Sequence, residues 1–176
     1  MRVVAGEARG RQIVAPDGNR TRPTSDRVRE SIFNMLFSLG ATNDVDVLDL
    51  YAGCGALGIE ALSRGASSCI FVEQDRRAVE CIRNNLDALG YSDQATVVQA
   101  DVMAWVEQNS GCFDVVLADP PYADDSWKTL LDSVQSRWLV AEAGDTVKEH
   151  PRWDVVREKT YGTTVVTVFA RQGSAQ

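Results

Sequence analysis

Between residues 45 and 118 the sequence alternates short apolar runs with helical patterns, and this alternation limits the possible folds more than any other feature. The four strand-like runs are residues 45–50, 68–73, 96–100 and 113–118. The helical patterns between them are residues 57–64, 76–89 and 102–108. Strands that alternate with helices form parallel sheets with right-handed crossovers and helices on both faces. The sequence therefore predicts an α/β fold with a mostly parallel sheet.

The N-terminal flank of this region has a different pattern. Residues 2–5 and 11–14 are β-prone runs around a glycine-containing turn, which predicts a small hairpin, and residues 15–23 are predicted to be a loop. A helix capped by Thr24 or Ser25 is predicted to follow and to end at Gly40. Its apolar stripe is Val28, Ile32, Phe33, Leu36 and Phe37.

The C-terminal flank is predicted to hold a helix over residues 126–137 and a weakly marked strand at 145–149. An antiparallel hairpin of residues 153–159 and 163–170 then follows around Tyr161 and Gly162. We divide the chain into an N-terminal arm of residues 1–23, a main domain of residues 24–171 and a disordered tail of residues 172–176.

The charge of the chain is unevenly distributed. The net charge is −7, but residues 1–29 carry seven arginines and three acidic residues, a net charge of +4 that leaves −11 for the remainder. A short basic arm on an acidic body indicates a phosphate-bearing partner, and arginine favours forked phosphate contacts. The candidate RNA-binding residues are Arg2, Arg9, Arg11, Arg20, Arg22, Arg27 and Arg29.

Composition argues against several other classes of protein. The four cysteines are widely spaced and His150 is the only histidine, so neither a structural zinc site nor a disulfide framework is expected. No apolar run reaches membrane-span length, and the N-terminus lacks the layout of a signal peptide. We therefore expect a cytoplasmic protein with no membrane segment and no metal.

A glycine turn follows the first strand of the alternating region. Residues 53–58 match the G-x-G-x-x-G pattern directly after a strand and before a helix, and Glu73 lies 20 residues beyond Gly53. This spacing also fits a dinucleotide-binding site, so an NAD-dependent oxidoreductase is a rival hypothesis. Asp49, near the end of that strand, favours a different ligand, because its carboxylate would repel a pyrophosphate and attract an ammonium group.

Acidic residues lie at the carboxyl ends of four successive predicted strands: Asp49, Glu73, Asp101 and Asp119. Ligands of such sheets bind beyond these strand ends. Each acid alone could be a helix N-cap or a loop residue. Together they outline a site for a cationic nucleoside without phosphates, and S-adenosylmethionine is such a ligand. Glu73 would accept its ribose hydroxyls, and Asp101 its adenine amine.

The segment Asp119-Pro120-Pro121-Tyr122 follows the fourth strand. Its two prolines make the loop stiff, so a carboxylate, main-chain carbonyls and an aromatic ring form one rigid group. Such a group suits a planar substrate with an NH2 group, because two acceptors can hold its hydrogens while the ring stacks on its face. The alternative is a proline turn that only closes a strand.

These motifs together resemble the RsmD family of 16S ribosomal RNA guanine-N2 methyltransferases. The resemblance covers nearly the whole chain, and its N-terminal segments, residues 2–11 and 22–30, are specific to that family. The glycine turn in residues 49–65 and the Asp-Pro-Pro-Tyr motif occur in many methyltransferases. Residues 71–73 and 157–159 complete the resemblance.

The resemblance implies a Rossmann-like class I methyltransferase with a mostly parallel seven-stranded sheet, a C-terminal antiparallel hairpin and a small N-terminal β-hairpin. It implies methyl transfer from S-adenosylmethionine to the exocyclic N2 of the guanine at position 966 in the reference 16S numbering. The partner would be an assembling small ribosomal subunit, and we expect a monomer. The predicted catalytic residues are Asp119, Pro120 and Tyr122. The predicted cofactor-binding residues are Asp49, Tyr51, Gly53, Gly55, Gly58, Glu73, Gln74, Asp101, Val102 and Asp119.

The sequence departs from the family pattern in two places. Cys54 replaces a usual serine in the glycine turn, and the expected apolar fifth strand is the polar segment 145–150. Two alternatives to the proposed activity stay open. The motif of residues 119–122 equally suits an N6-adenine DNA methyltransferase, although no target-recognition domain is evident. The chain could also be a non-catalytic nucleic-acid-binding module.

Overall fold

The computed structural model describes residues 1–16, 25–120 and 127–173. The helices are α1 (Asp26–Ser38), α2 (Ala56–Ser63), α3 (Arg76–Leu89), α4 (Val102–Gln108) and α5 (Trp127–Ser133), with a short 3-10 turn at Ser92–Gln94. The strands are β1 (Asp46–Leu50), β2 (Ser68–Glu73), β3 (Ala95–Gln99), β4 (Cys112–Ala118), β5 (Gln135–Ala143), β6 (Trp153–Tyr161) and β7 (Thr164–Arg171).

The strands form one seven-stranded sheet in the order β3-β2-β1-β4-β5-β7-β6. The first five strands in this order pair in parallel, and β7 pairs antiparallel with both β5 and β6. This architecture confirms the predicted Rossmann-like sheet and its C-terminal antiparallel hairpin. The order reverses direction at β1, with β2 on one side and β4 on the other, and this reversal marks the usual ligand-binding edge.

Each face of the sheet packs against its own hydrophobic core. One core joins the sheet to α1, α2, α3 and buried side chains of the N-terminal segment, including Val3 and Ile13. The other joins the opposite face to α4 and α5. Burial on both faces explains why β1 and β4 are nearly continuous apolar runs.

The N-terminal helix begins as predicted from its capping signal. Ser25 is the N-cap of α1, and its side chain accepts a hydrogen bond from the amide of Val28. Thr24, the alternative cap, lies outside the described residues. Four members of the predicted apolar stripe are buried, whereas Phe37 is exposed. The prediction that Phe37 belongs to the buried stripe was therefore wrong, because the contact with the core ends at Leu36.

The fifth strand was predicted at the wrong place. Residues 145–149 are not a strand, and the predicted helix over 126–137 ends at Ser133. The strand is β5, whose Leu139, Val140 and Ala141 are buried between β4 and β7. A strand buried on both faces has no polar alternation, so a short apolar run of this kind is easily mistaken for helix.

Both ends of the chain add to these elements. Arg2 and Gln12 form an antiparallel bridge, and the amide of Val3 donates to the carbonyl of Arg11, as the predicted N-terminal hairpin requires. Gln172 donates from its side chain to Asp154. Residues 174–176 of the predicted tail are not described.

Within the described ranges, no helix is long and apolar enough to cross a membrane.

Candidate active site

The glycine turn between β1 and α2 is wound through several left-handed residues. Tyr51, Gly53 and Gly55 have φ angles of 59°, 56° and 80°. A tyrosine in this region is strained, and such strain is often found at functional sites. The amide of Gly55 donates to the carbonyl of Ala52 at 2.7 Å, which closes the turn. A Cβ atom at Gly53 would meet only the Tyr51 carbonyl oxygen, at 4.0 Å, so the backbone there is open to a ligand.

Gly58 has a structural reason to be glycine. A Cβ atom at this position would lie 2.3 Å from Cε1 of Phe71 and 2.7 Å from Sγ of Cys69, so glycine lets α2 pack directly against β2. Its amide donates to Oδ2 of Asp49 at 2.8 Å. Gly58 thus holds the helix close to the sheet, beneath the turn that was predicted to bind the cofactor.

Asp49 lies under the glycine turn with only 1% of its surface exposed. Burial raises the pKa of its carboxyl from 3.8 to about 8, the Gly58 amide lowers it, and the charge of Glu73 raises it further. In the described part of the chain, none of the ion pairs involves Asp49. A nearby cation would therefore be strongly favoured, as predicted for the ammonium group of the ligand.

Asp119 and Pro120 follow β4 at the same edge of the sheet. Burial raises the pKa of Asp119 from 3.8 to about 8, and the charges of Glu142 and Asp49 raise it further. Ala118, the last residue of β4, pairs with Leu50 at the end of β1, so Asp119 lies beside the glycine turn. Pro120 is buried at this edge. Tyr122, the third predicted catalytic residue, lies outside the described residues.

Glu73 ends β2 beside the glycine turn, as predicted. Its Oε2 accepts the Gly53 amide and its Oε1 accepts the Asp75 amide, both at 2.8 Å. Each carboxylate oxygen has more than one lone pair, so a ribose hydroxyl can still bind there. Gln74, the next residue along the chain, is exposed at the same strand end.

Asp101 and Val102 lie where β3 gives way to α4. Asp101 is the N-cap of α4 and accepts the Ala104 amide at 2.9 Å. The capping alternative therefore holds for this acid, and its second carboxylate oxygen is left for the predicted adenine contact. Val102 is buried in the core beneath α4.

The structure adds one acid that sequence reasoning missed. Glu142, near the end of β5, is buried and its charge reaches Asp119. The rule that identified the other four acids, a carboxylate at a strand's carboxyl end, would also have identified Glu142. It was missed because β5 was predicted six residues or more too late in the chain.

The arginines of the predicted basic arm have several different surroundings. Arg2, Arg9, Arg11 and Arg27 are exposed. Arg2 donates to the carbonyl of Gly10 at 2.7 Å, and Arg11 donates to the carbonyls of Ala88 and Leu89 on α3. Arg20 and Arg22 lie outside the described residues.

Arg29 has a different environment, because it is fully buried. Its guanidinium group lies 2.8 Å from Asp26 and 3.5 Å from Glu60, and it donates to the carbonyl of Arg2. In this position it cannot reach an RNA phosphate. It anchors the N-terminal segment instead.

Glu60 of α2 is the centre of that anchor. It is fully buried, accepts the amides of Val4 and Ala5 at 2.8 and 2.9 Å, and pairs with Arg64 at 2.8 Å as well as with Arg29. One turn later, the Ser63 hydroxyl donates to the carbonyl of Ala5 and accepts the Ala8 amide. The helix that begins at the glycine turn therefore also holds the arm.

Among the described residues, no group of three or more histidine, cysteine, aspartate or glutamate side chains could hold a metal ion. The four cysteines are free thiols, of which Cys112 is exposed.

Known proteins are similar to this chain over nearly its whole length. A family model described as "Conserved hypothetical protein 95" matches residues 1–170. "Putative rRNA methyltransferase YlbH" of Bacillus subtilis (strain 168) is 39% identical over 98% of this chain and 100% of its own length. "Ribosomal RNA small subunit methyltransferase D" of Escherichia coli (strain K12) is 32% identical over 100% of this chain and 92% of its own length.

Solved structures share the fold as well as the sequence pattern. A structure described as "Putative methyltransferase yhhF from Escherichia coli" is 32% identical and covers 99% of both chains with a TM-score of 0.87. The similarity therefore extends over the N-terminal segment, the glycine turn and the C-terminal hairpin together.

Proposed function

Because this chain belongs to the RsmD methyltransferase family, the one described as "Conserved hypothetical protein 95", we propose that it methylates the exocyclic N2 of a guanine in 16S ribosomal RNA. The proposed methyl donor is S-adenosylmethionine, and the proposed target is position 966 in the reference numbering. The relatives named above support a ribosomal RNA substrate, since they match the chain from end to end.

One observation carries this proposal: Asp119 and Pro120, which begin the proposed acceptor loop, lie at the same edge of the sheet as the glycine turn. Asp49 and Leu117 are paired in register, and Asp119 follows directly after β4, so the two acids lie at neighbouring strand ends. A donor bound at the turn and an amine bound at Asp119 would be neighbours. This proximity is what direct group transfer requires.

The residues of the turn fit a cationic nucleoside. Asp49 is buried and Asp119 half-buried, and the pKa of each is raised to about 8, so a bound cation would offset their desolvation. Gly53 leaves room for close approach, and Glu73 can accept from a ribose. A pyrophosphate beside Asp49 would oppose ionisation of this carboxyl instead of offsetting its burial, which argues against the NAD-dependent alternative. Asp49, Gly53, Gly55, Glu73, Gln74, Asp101 and Val102 would line the cofactor site.

The proposed chemistry needs little more than positioning and charge. S-adenosylmethionine supplies an electrophilic methyl group. Asp119 and the Pro120 carbonyl would accept the two hydrogens of the guanine N2, and Tyr122 would stack on the extruded base. Held in this way, the nitrogen can direct its lone pair at the methyl group. The Asp119 carboxylate, with a pKa raised to about 8, suits acceptance of the proton that N2 loses after transfer.

The exposed arginines of the arm would hold the RNA backbone near this site. Arg9 is exposed, and none of the side-chain hydrogen bonds or ion pairs found among the described residues involves its guanidinium group, which is therefore available to a phosphate. Arg2, Arg11 and Arg27 would contribute, together with Arg20 and Arg22. We further propose that the substrate is an assembling small subunit, and that the protein acts in the cytoplasm as a monomer without a metal.

The decisive experiment compares three nucleic-acid substrates, with labelled S-adenosylmethionine as the methyl donor. Naked 16S ribosomal RNA, small-subunit particles and DNA are incubated with the protein, and the modified nucleoside is identified. We expect N2-methylguanosine in the ribosomal substrates, and Asp119→Ala should reduce its formation at least about a hundredfold while the fold is retained. N6-methyladenine in DNA would instead establish the alternative activity, and normal turnover by Asp119→Ala would refute the amine clamp.

A second experiment tests the arm. Arg9→Ala should weaken RNA binding and reduce the slope of log affinity against log salt by about 1, while the affinity for S-adenosylmethionine persists. Arg137→Ala is the matched control, because Arg137 is an exposed arginine near the start of β5, at the opposite end of the sheet. An Arg9→Ala protein that loses cofactor affinity, but binds RNA normally, would show that the arm is misassigned.

A further inference from the structure

Glu142 is placed by the sheet directly beside the acceptor loop. Leu117 of β4 pairs with Val140 of β5, and Asp119 and Glu142 each lie two residues beyond this pair. Glu142 points to the same face of the sheet as Val140, because side chains two residues apart along one strand share a face. Asp119 is the first residue after β4, so it lies beside Glu142 at the edge of the sheet that also holds Asp49.

The burial of Glu142 shows that it is not a surface acid. Only 5% of it is exposed, although it lies within two residues of the end of its strand. Its charge is the second largest cause of the raised pKa of Asp119, so the two carboxyl groups are near neighbours. Two neighbouring carboxyl groups can together accept hydrogen bonds from a ligand that presents adjacent donors.

Guanine offers such a set of donors on one edge. Its N1 carries one hydrogen and its N2 carries two, and they lie side by side. Adenine and 2-aminopurine instead have a lone pair at N1, which a carboxylate would repel. The pair of acids therefore matches guanine and no other common base of RNA in this edge pattern.

We propose that Glu142 selects guanine by accepting the hydrogen bond from N1, while Asp119 and the Pro120 carbonyl hold the N2 amine. This inference rests on the proposed guanine-N2 activity and names the residue that gives it base specificity. Asp119 alone could hold the amine of either purine, since any exocyclic NH2 presents two hydrogens. The neighbouring strand thus supplies the discrimination that the four-residue motif lacks.

The test substitutes 2-aminopurine for guanine at the target position, because this base keeps the N2 amine but has a lone pair at N1. The wild-type protein should methylate guanine with a kcat/KM at least about tenfold higher than for 2-aminopurine. Glu142→Gln should lower kcat/KM for guanine by about tenfold or more. It should also reduce or invert the preference, since an amide can donate to the N1 lone pair. Glu107→Gln, at an exposed glutamate of α4, is the control and should change neither value.

A second variant keeps the charge and guards against a folding defect. Glu142→Asp withdraws the carboxylate by one methylene group and should lower kcat/KM for guanine more than for 2-aminopurine. Affinity for S-adenosylmethionine, measured by calorimetry, should be unchanged in both variants. Equal losses on the two bases would show that Glu142 supports the fold and would overturn the proposal. Absence of guanine methylation by the wild-type protein would instead count against the proposed function itself.

Discussion

The molecule removes carboxyl groups from solvent in two regions, which differ in the partners that the described residues give to these groups. Glu60 under the N-terminal segment accepts two backbone amides and pairs with two arginines. At the sheet edge Asp49 is buried and Asp119 half-buried, but in the described part of the chain no ion pair involves either of them. Burial raises the pKa of both to about 8.

The difference distinguishes a structural acid from a binding acid. Around Glu60 the fold itself supplies the compensating charge, so the pair is complete before any ligand arrives. At the edge of the sheet, none of the ion pairs among the described residues involves Asp49 or Asp119, so a bound cation would supply the compensating charge. A buried acid without a cation of its own is therefore the better indicator of a ligand site.

The largest expected effect is on stability, through the ion pairs and amide hydrogen bonds of Glu60. Glu60→Ala leaves Arg29 buried beside a single, largely exposed acid and removes the acceptor of the Val4 and Ala5 amides. We expect the free energy of unfolding, measured by urea denaturation, to fall by roughly 3–5 kcal/mol. Glu80→Ala is the control, since Glu80 forms an exposed pair with Arg76, and its loss should cost at most about 1 kcal/mol. Similar losses in the two variants would remove the contrast drawn above.

The docking of the arm on α2 can be tested through two glycines. Gly6 and Gly10 have φ angles of 83° and 82°, so alanine is strained at both by about 1–2 kcal/mol. A Cβ atom at Gly6 would also lie 1.8 Å from the backbone oxygen of Ser63. A Cβ atom at Gly10 would meet no other atom within 4 Å. Gly6→Ala should therefore cost about 3 kcal/mol in the same denaturation assay, clearly more than Gly10→Ala. Equal costs would mean that the arm is not held against α2.

Asp49→Asn should give the reverse of the Glu60 result. The variant keeps an oxygen for the Gly58 amide but removes a buried charge, so the cofactor-free protein should be as stable as the wild type or more stable at pH 8. Affinity for S-adenosylmethionine should fall roughly tenfold to a hundredfold, as expected for loss of a charged hydrogen bond. Calorimetric titration measures this affinity, and a large loss of stability with unchanged affinity would identify Asp49 as a structural acid like Glu60.

The smallest expected effect is a dependence on pH. The folded protein holds protons on Asp49 and Asp119 up to about pH 8, whereas the unfolded chain releases them near pH 3.8. Stability of the cofactor-free protein should therefore decline as pH rises through this interval, with a slope that Asp49→Asn reduces. Binding of a cation favours the ionised acids, so cofactor affinity should rise between pH 6 and 8.5. The neighbouring Glu73 and Glu142 make these titrations interdependent. An affinity that is flat over this range would contradict the predicted role of the two acids.

The sequence predicted β1, β2, β3 and β4 well, because these strands are separated by clear helical patterns and glycine turns. Asp49, Gly53 and Glu73 could be assigned to one edge for the same reason. The prediction failed at β5, where an apolar run next to a short helix gave no period to choose between helix and strand. Because β5 was predicted at the wrong place, Glu142 was not recognised as an acid near a strand end.

Other features could not be predicted from local pattern at all. Arg29 belongs to the same run of arginines as Arg27 in the sequence, yet the first is buried and the second exposed. The reason is the position of Glu60, some thirty residues further along the chain, which only tertiary packing brings beside Arg29. Gly58 was predicted to contact the cofactor, and its second role, close packing of α2 against Phe71 and Cys69 of β2, is visible only in the tertiary structure.

The sequence by itself determined the order of strands and helices, the tight turn after β1 and the acids at strand ends, because these depend on neighbours within a few residues. Tertiary structure decided that Glu60 pairs with two arginines, whereas no ion pair among the described residues involves Asp49 or Asp119. Burial and pairing of charge depend on residues distant in the chain, and it is the arrangement of β4 beside both β1 and β5 that brings Asp49, Asp119 and Glu142 together.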